Sequence, residues 1–237
     1  MAEARVLYNE RRFEAAVNAA ERARLLPGRA DSADLIAARA HLEWFRERAA
    51  PDDLTNARTR LARLDPQRFA PRERVEYLVG LGEMLYFEDA YGAASALFAS
   101  ALDAADGLAS DARERVLDWW GNALDCDARP RPEIDRHGIY ERMRERMHAE
   151  LALRPGSGTA AYWLAAASRG QGDLQSAWAA VEAGWVRARL TTDRGAALRV
   201  DLDHLMLRAI VPERARMLGQ PSESLRSEWE RFKERWK

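Results

Sequence analysis

Apolar and small residues recur along this chain at three- and four-residue intervals, the spacing that gathers them on one face of an α-helix. The clearest stretch is residues 77–103, YLVGLGEMLYFEDAYGAASALFASALD. Leu78, Leu81, Leu85 and Tyr86 form one stripe, Glu88-Asp89 breaks it, and Tyr91, Ala94, Leu97, Phe98 and Ala101 form a second. Two amphipathic helices folded back on each other are expected. Gly82 falls inside the first, where glycine costs ~1 kcal/mol against alanine, so its expected use is to admit the second helix closely.

The rest of the chain reads the same way with more interruptions. Leu7-Tyr8, then Arg11-Arg12-Phe13, predicts the end of a short helix, a turn, and a second helix with small residues Ala16, Ala20 and Ala23 on one face, closed by Pro27-Gly28. Asp31 or Ser32 is expected to cap a helix carrying Leu35, Ala38, Arg39, Leu42 and Phe45. Pro51-Asp52-Asp53 opens its partner, with Leu54, Ala57, Leu61 and Leu64 on one side, and several extra residues sit around Arg46–Asp52. Ser110 is expected to cap another first helix and Thr159 to start the fifth. Between them residues 127–138, DARPRPEIDRHG, hold two prolines and Gly138 and predict a loop rather than helix, either a functional insertion or a tolerated surface one. The following helix carries Tyr140, Met143, Met147 and Leu151. Gly170-Gln171-Gly172-Asp173 predicts the turn into a helix packed through Ala177, Val181 and Gly184. Past Leu190 the pattern changes: Leu198, Leu202, Leu205, Met206 and Ile210 stripe one helix that Pro212 is expected to end, and Leu225, Trp229, Phe232 and Trp236 stripe the last.

Leu78-x2-Leu81-Gly82-x2-Leu85 followed by Ala94-x3-Phe98 resembles the tetratricopeptide repeat, whose pattern is W-x2-L-G-x2-Y and then A-x3-F. Leucine replaces the tyrosine and the closing proline is missing. Leu117-x2-Trp120-Gly121-x2-Leu124 fits the first half again, and Ala16, Ala57, Ala94 and Ala177 stand at motif-equivalent places. The mean period is about forty residues instead of ~34, because of the insertions. The resemblance implies an all-α, right-handed solenoid of about four to five helix pairs over residues 1–190, best at 72–104, with a C-terminal helical cap over 191–237. The first pair is short, so either it is degenerate or Met1 stands in place of a longer N-terminus such as a removed export signal.

Composition narrows the function classes. The 237 residues are 47% hydrophobic and 32% charged, which predicts a folded chain, and a net charge of −1 gives no global pull toward nucleic acid or anionic membrane. Arginine far outnumbers lysine, which occurs at Lys233 and Lys237, and together with abundant alanine this reflects a GC-rich, bacterial type of genome. Cys126 is the single cysteine, so no intrachain disulfide forms. No apolar run approaches the ~20 residues of a membrane span, and no signal peptide is visible, so a cytoplasmic location is the default and a periplasmic or lipid-anchored one follows if an export signal is missing.

No motif argues for catalysis, a cofactor or a metal. His41, His137, His148 and His204 are not at ligand spacing, and Asp201-x-Asp203-His204 on a helix points in several directions. Ser157 between Gly156 and Gly158 follows no strand and is no nucleophile elbow. Arg187, Arg189, Arg194 and Arg199 form a basic run, read as a solvated face rather than a nucleic-acid site.

The resemblance instead implies that first helices line a concave face. Projected onto this chain, that face takes Trp44 and Glu43, then Glu83, Tyr86 and Phe87, then Asp118, Trp119, Asn122 and Asp125, then Tyr162, Trp163 and Arg169. Aromatic area with a few polar groups suits an extended peptide or a partner helix. For Trp119 and Trp163 a second reading stands beside this one, that they fill gaps between helices. Asn122 matches the asparagine with which some members of the family grip a C-terminal carboxylate, but no lysine or close arginine accompanies it, so that clamp is not expected. The leading expectation is a non-enzymatic protein-interaction scaffold. The alternatives are a structural subunit that oligomerises through its outer face and C-terminal helix, and a ligand-sensing or enzymatic module.

Overall fold

A computed structural model describes residues 1–104, 108–191 and 195–237, and every regular element among them is helical. The chain contacts divide into two compact units, Met1–Ala123 and Leu124–Lys237. Of the basic run read from the sequence, Arg194 lies outside the described residues.

The first unit holds α1 (Ala2–Asn9), α2 (Phe13–Arg24), α3 (Ala30–Arg48), α4 (Pro51–Leu61), α5 (Pro71–Phe87), α6 (Tyr91–Asp103) and the larger part of α7 (Ser110–Ala128). Each of α1, α3 and α5 packs on the helix that follows it, and α3 packs also on α1 and on α5. Between α1, α2 and α3 the core is mostly alanine: Ala4, Ala19, Ala20, Ala23, Ala33 and Ala37 with Ile36. Such small side chains let helix axes approach at the short end of the usual 8–10 Å range. The layer built on α3 and α4 is larger-grained, with Leu35, Leu42, Ala57, Leu61 and Phe69 buried and Tyr77, Leu81 and Phe87 of α5 packed against them. Gly82 has the role expected of it, since a Cβ there would stand 2.6 Å from the ring of Phe98 on α6.

The second unit holds the end of α7, then α8 (Glu133–Leu153), α9 (Gly158–Gly170), α10 (Leu174–Arg187), α11 (Gly195–Leu205), α12 (Val211–Leu218) and α13 (Ser222–Arg235). Here α8 packs on α9, α9 on α10, and α11 on both α9 and α10. Gly170 and Gly184 repeat the device of Gly82: added methyls would meet the ring of Tyr140 at 2.5 Å and Leu202 at 2.9 Å. The stripe of α13 is largely covered within the unit, with Leu225 and Trp229 buried, while Trp236, past the helix end, is 43% exposed.

Three helix-to-helix turns share one backbone geometry. Arg11, Asp89 and Gly172 have φ of 59°, 60° and 81°, the left-handed region. In each turn the next N–H reaches back to a carbonyl of the preceding helix: Arg12 to Leu7 at 2.9 Å, Ala90 to Leu85 at 2.9 Å and Asp173 to Ser168 at 3.1 Å. At the same offset into each following helix stand Ala16, Ala94 and Ala177, all 0% exposed. One turn further on, Ala20, Phe98 and Val181 are buried as well. These three helix pairs therefore share one turn conformation. Glycine adopts that conformation freely, whereas Arg11 and Asp89 hold it at a cost of about 1 kcal/mol each. The second pair departs from the pattern: α3 runs on to Arg48, absorbing the extra residues, and turns through Ala49 at φ 51° into Pro51.

Several expected boundaries move. Asp31 and Ser32 lie inside the first turn of α3, which begins at Ala30, so they do not cap it, and Ser110 likewise is the first residue of α7 rather than its cap. α9 starts one residue before Thr159, with the buried Ser157 as cap, its Oγ accepting from the Ala160 N–H at 3.1 Å. Residues 127–138 are mostly helix: α7 continues to Ala128 and α8 starts at Glu133. Pro132 precedes the first turn of α8, Glu133 and Asp135 favour its positive end, and the helix then runs through Gly138. Pro212 does not end its helix either. A π turn over Met206–Ile210 leads directly into α12 with Pro212 in its first turn. The carbonyl of Arg208, which a proline ring would strike in a regular α-helix, lies in that wider turn. No helix among the described residues is long and apolar enough to cross a membrane.

Candidate functional site

In the first unit the proposed groove residues on α5 and α7 come together at one place. Tyr86 meets Trp119 edge-on with ring centroids 4.8 Å apart, and Phe87 meets Trp119 at 5.6 Å. Phe45 of α3 packs edge-on against Phe87 at 5.0 Å, and Tyr91 of α6 against Tyr86 at 5.2 Å. The buried ring of Phe98 lies beneath, stacked on Trp119 at 6.1 Å. Edge-to-face pairs set the positive ring edge against the negative face, and each adds about 0.5–1.5 kcal/mol to simple burial. The Tyr86 hydroxyl donates to Asn122 Oδ1 at 2.9 Å, so two of the predicted polar and aromatic groups hold each other. Phe45, Tyr86, Phe87, Tyr91 and Trp119 are all partly exposed. Trp119 thus has features of both readings: it stacks on Phe98 and is partly exposed.

Trp44 stands apart from this cluster. It packs edge-on against His41 at 5.2 Å and carries the Arg48 guanidinium 4.7 Å over its ring. The phase of α3 puts Phe45, not Trp44, against Phe87. His41 in turn lies 3.2 Å from the buried Asp53, which also takes Arg48 at 2.9 Å; desolvation holds the imidazole pKa below its ordinary value despite that carboxylate.

Glu83, one turn before Phe87, faces inward and is only 7% exposed. Its Oε2 is buried without a hydrogen-bond partner, as is Nε of Arg39 on α3. Arg39 stacks its guanidinium 4.7 Å over the ring of Tyr8 on α1. Burial raises the Glu83 pKa to about 7, with Arg39 pulling it down and Glu43 pushing it up. A carboxyl placed this way offers charge to the interior rather than to a ligand at the surface. A neighbouring network ties α1 to α5, where Arg5 bonds Glu73 at 2.8 Å and Glu76 at 2.6 Å.

The remaining candidates belong to the second unit, and there they are mostly engaged by the fold. Trp163 is 6% exposed, so it packs rather than presents area, with Tyr162 edge-on at 5.3 Å and partly exposed. Arg169 forms a forked pair with Glu213 of α12, at 3.0 Å through Nε and 2.5 Å through Nη2. Asp125 accepts from the Tyr140 hydroxyl at 2.7 Å and is paired with Arg129. Burial, then that bond to Asp125, pushes the Tyr140 phenol well above its usual range. A polar cleft of about 470 Å³ lies among Arg129, Arg136, His137, Tyr140, Arg169 and Glu213. Two of its arginines, Arg169 and Arg129, are balanced by Glu213 and Asp125. Among the described residues no group of three or more His, Cys, Asp or Glu side chains is placed to hold a metal ion.

Reading by sequence missed Phe45 and Tyr91, which it assigned to packing stripes. The available signal was adjacency: Phe45 follows Trp44, and Tyr91 opens the helix after Phe87, so a shift in helical phase brings both rings to the cluster. Comparison of the chain with protein-family models, curated proteins and solved structures found no match.

Proposed function

We propose that this chain is a non-enzymatic, tetratricopeptide-like interaction module that binds an apolar peptide or partner helix at the aromatic cluster of its first unit. The observation that carries the reading is the partly exposed set of rings from α3, α5 and α7, Phe45, Tyr86, Phe87 and Trp119, locked edge-on around one another. Rings already fixed by their neighbours lose little conformational freedom when a partner covers them, which favours them as binding anchors. Asn122, held by the Tyr86 hydroxyl, sets a polar group at the same place. The shared turn geometry at Arg11, Asp89 and Gly172 supports the repeat reading on which this rests.

The test is selection of a displayed random-peptide library on the full chain, followed by affinity measurement on variants. Selected peptides are expected to be rich in apolar residues and to lose about tenfold or more in affinity with Phe87→Ala. A Leu153→Asp variant in the other unit, where Leu153 is exposed, should bind them unchanged. Peptides that bind the Phe87→Ala and Trp119→Ala variants as well as the parent, with folded circular dichroism in both, would sink the proposal.

A further inference from the structure

A second surface, in the C-terminal unit and independent of the aromatic cluster on α5 and α7, has the composition of a docking groove. Leu198 and Leu202 of α11, with Met206 and Ile210 of the π turn, face the core. Away from the core, Val200 is 66% exposed, His204 and Arg208 are exposed, and Leu207 is partly so. Together with Trp185 of α10 and Lys233 of α13 these residues form a shallow, mainly apolar depression of about 440 Å³. Leu207 and Arg208 belong to the π turn, a rare conformation that recurs at functional positions.

The charge around this depression is mainly basic. Arg199, Arg208 and Lys233 line it with a single carboxylate, Asp203. That carboxylate is already taken, accepting from Trp229 Nε1 at 2.8 Å and from Lys233 Nζ at 2.7 Å. Arg199 lies 4.9 Å over the Trp185 ring and donates to the Trp236 carbonyl at 3.2 Å. Arg208 and His204 form no ion pair among the described residues. Lys233 is neutralised by Asp203 and Glu230, which leaves Arg199 and Arg208 as the cations of the rim that face no carboxylate partner among the described residues. An apolar floor beside two such guanidinium groups is complementary to apolar side chains flanked by carboxylates.

We infer that this groove docks an acidic amphipathic helix of a protein partner. The helix lays its apolar face on Val200 and Leu207 and sets its carboxylates against Arg208, Arg199 and His204. Nucleic acid fits less well, because the Trp185 ring already carries Arg199 and has Lys233 at 5.7 Å, and so is not offered to a stacked base.

The experiment uses the full chain and two synthetic amphipathic helices with the same leucine face, one bearing glutamate on its other face and one lysine. Fluorescence anisotropy is expected to show the glutamate peptide binding at least about tenfold tighter, with affinity falling as salt rises. Arg208→Glu and Val200→Asp, both at exposed positions, should each weaken it by about tenfold without changing helical content. Phe87→Ala should leave it unchanged. Equal binding of the two peptides would overturn the assignment, as would an Arg208→Glu variant that binds like the parent. Loss of binding with Phe87→Ala alone would place the peptide on the other unit. Single-stranded oligonucleotide or anionic vesicles that bind through Arg208 while the glutamate peptide does not would assign the groove to those partners and equally refute the proposal.

Discussion

Each unit builds a cluster around tryptophan, at Trp119 and at Trp185–Trp229, and the two clusters are completed differently. In the first, Trp119 is surrounded by other rings, Tyr86, Phe87 and Phe98, and the polar tip of Tyr86 is met by the neutral Asn122. In the second, Trp185 and Trp229 meet each other at 5.3 Å and then meet cations, with Arg199 over one ring and Lys233 near both. The acids differ in the same sense. Asp203 is paired with an indole N–H and an ammonium, whereas Glu83 is buried with an oxygen that no group meets. Ring-on-ring packing leaves a neutral, preorganised surface. Ring-on-cation packing leaves a charged rim that selects by sign.

The contrast is most sharply tested at the tryptophans themselves. Trp229 is 0% exposed, so Trp229→Ala is expected to lower the unfolding free energy by about 3–5 kcal/mol in denaturant titration. Trp119→Ala, whose ring is partly at the surface, should lower it by only about 2–3 kcal/mol. Equal losses would mean that both clusters are core and would remove the distinction.

Next in size is the pH dependence of Glu83. This carboxyl ionises near 4.5 in the unfolded chain and at about 7 in the folded protein. Between those values the folded state holds the extra proton, so stability falls as pH rises. The contribution is fully present below the lower value and lost above the upper one. Stability should therefore drop by about 2–3 kcal/mol from about pH 5 to pH 8, and Glu83→Gln should flatten that drop. A parent protein with the same slope as the variant would show that Glu83 finds a partner in solution.

Two glycines give smaller and opposite effects. Gly82→Ala drives a methyl into the Phe98 ring beneath Trp119, and overpacking outweighs the ~1 kcal/mol gained in helix propensity for a net loss of about 1–2 kcal/mol. Near-ultraviolet circular dichroism should register the displaced rings. Gly138 in α8 has nothing within 4 Å of an added Cβ, so Gly138→Ala should stabilise by about 0.5–1 kcal/mol. A destabilised Gly138→Ala variant would restore the loop expected there from the sequence.

Legibility followed the range of the interaction that decides each feature. The pairs at Leu78–Ala101 and at Ala161–Gly184 could be read because stripe, turn and close-packing glycine all lie within a few turns of one another. The segment 127–138 misled because two prolines and a glycine outweigh local propensity on paper. In the protein Pro132 occupies the position just before a helix, where its missing N–H costs nothing. At Pro212 the chain escaped the same penalty by widening into a π turn. For the candidate site, Tyr86, Phe87, Trp119 and Asn122 were read as neighbours and are. Glu83 was read as facing a ligand and turns inward, Trp163 was read either as groove-lining or as a gap filler and is buried, and Arg169 is held by Glu213, a residue 44 positions away.

What the sequence determined by itself is the succession of helices, their small-residue faces and the reversing turns, because each depends on side chains within about one or two helical turns. What only the tertiary structure decided is which of those side chains remain at the surface. Trp119 and Trp163 sit in similar helical patterns, yet one is partly exposed beside Tyr86 and Phe87 and the other is sealed inside its unit. Exposure depends on which distant helix arrives to cover a face, and that is set by packing across the chain rather than by the spacing of residues along it.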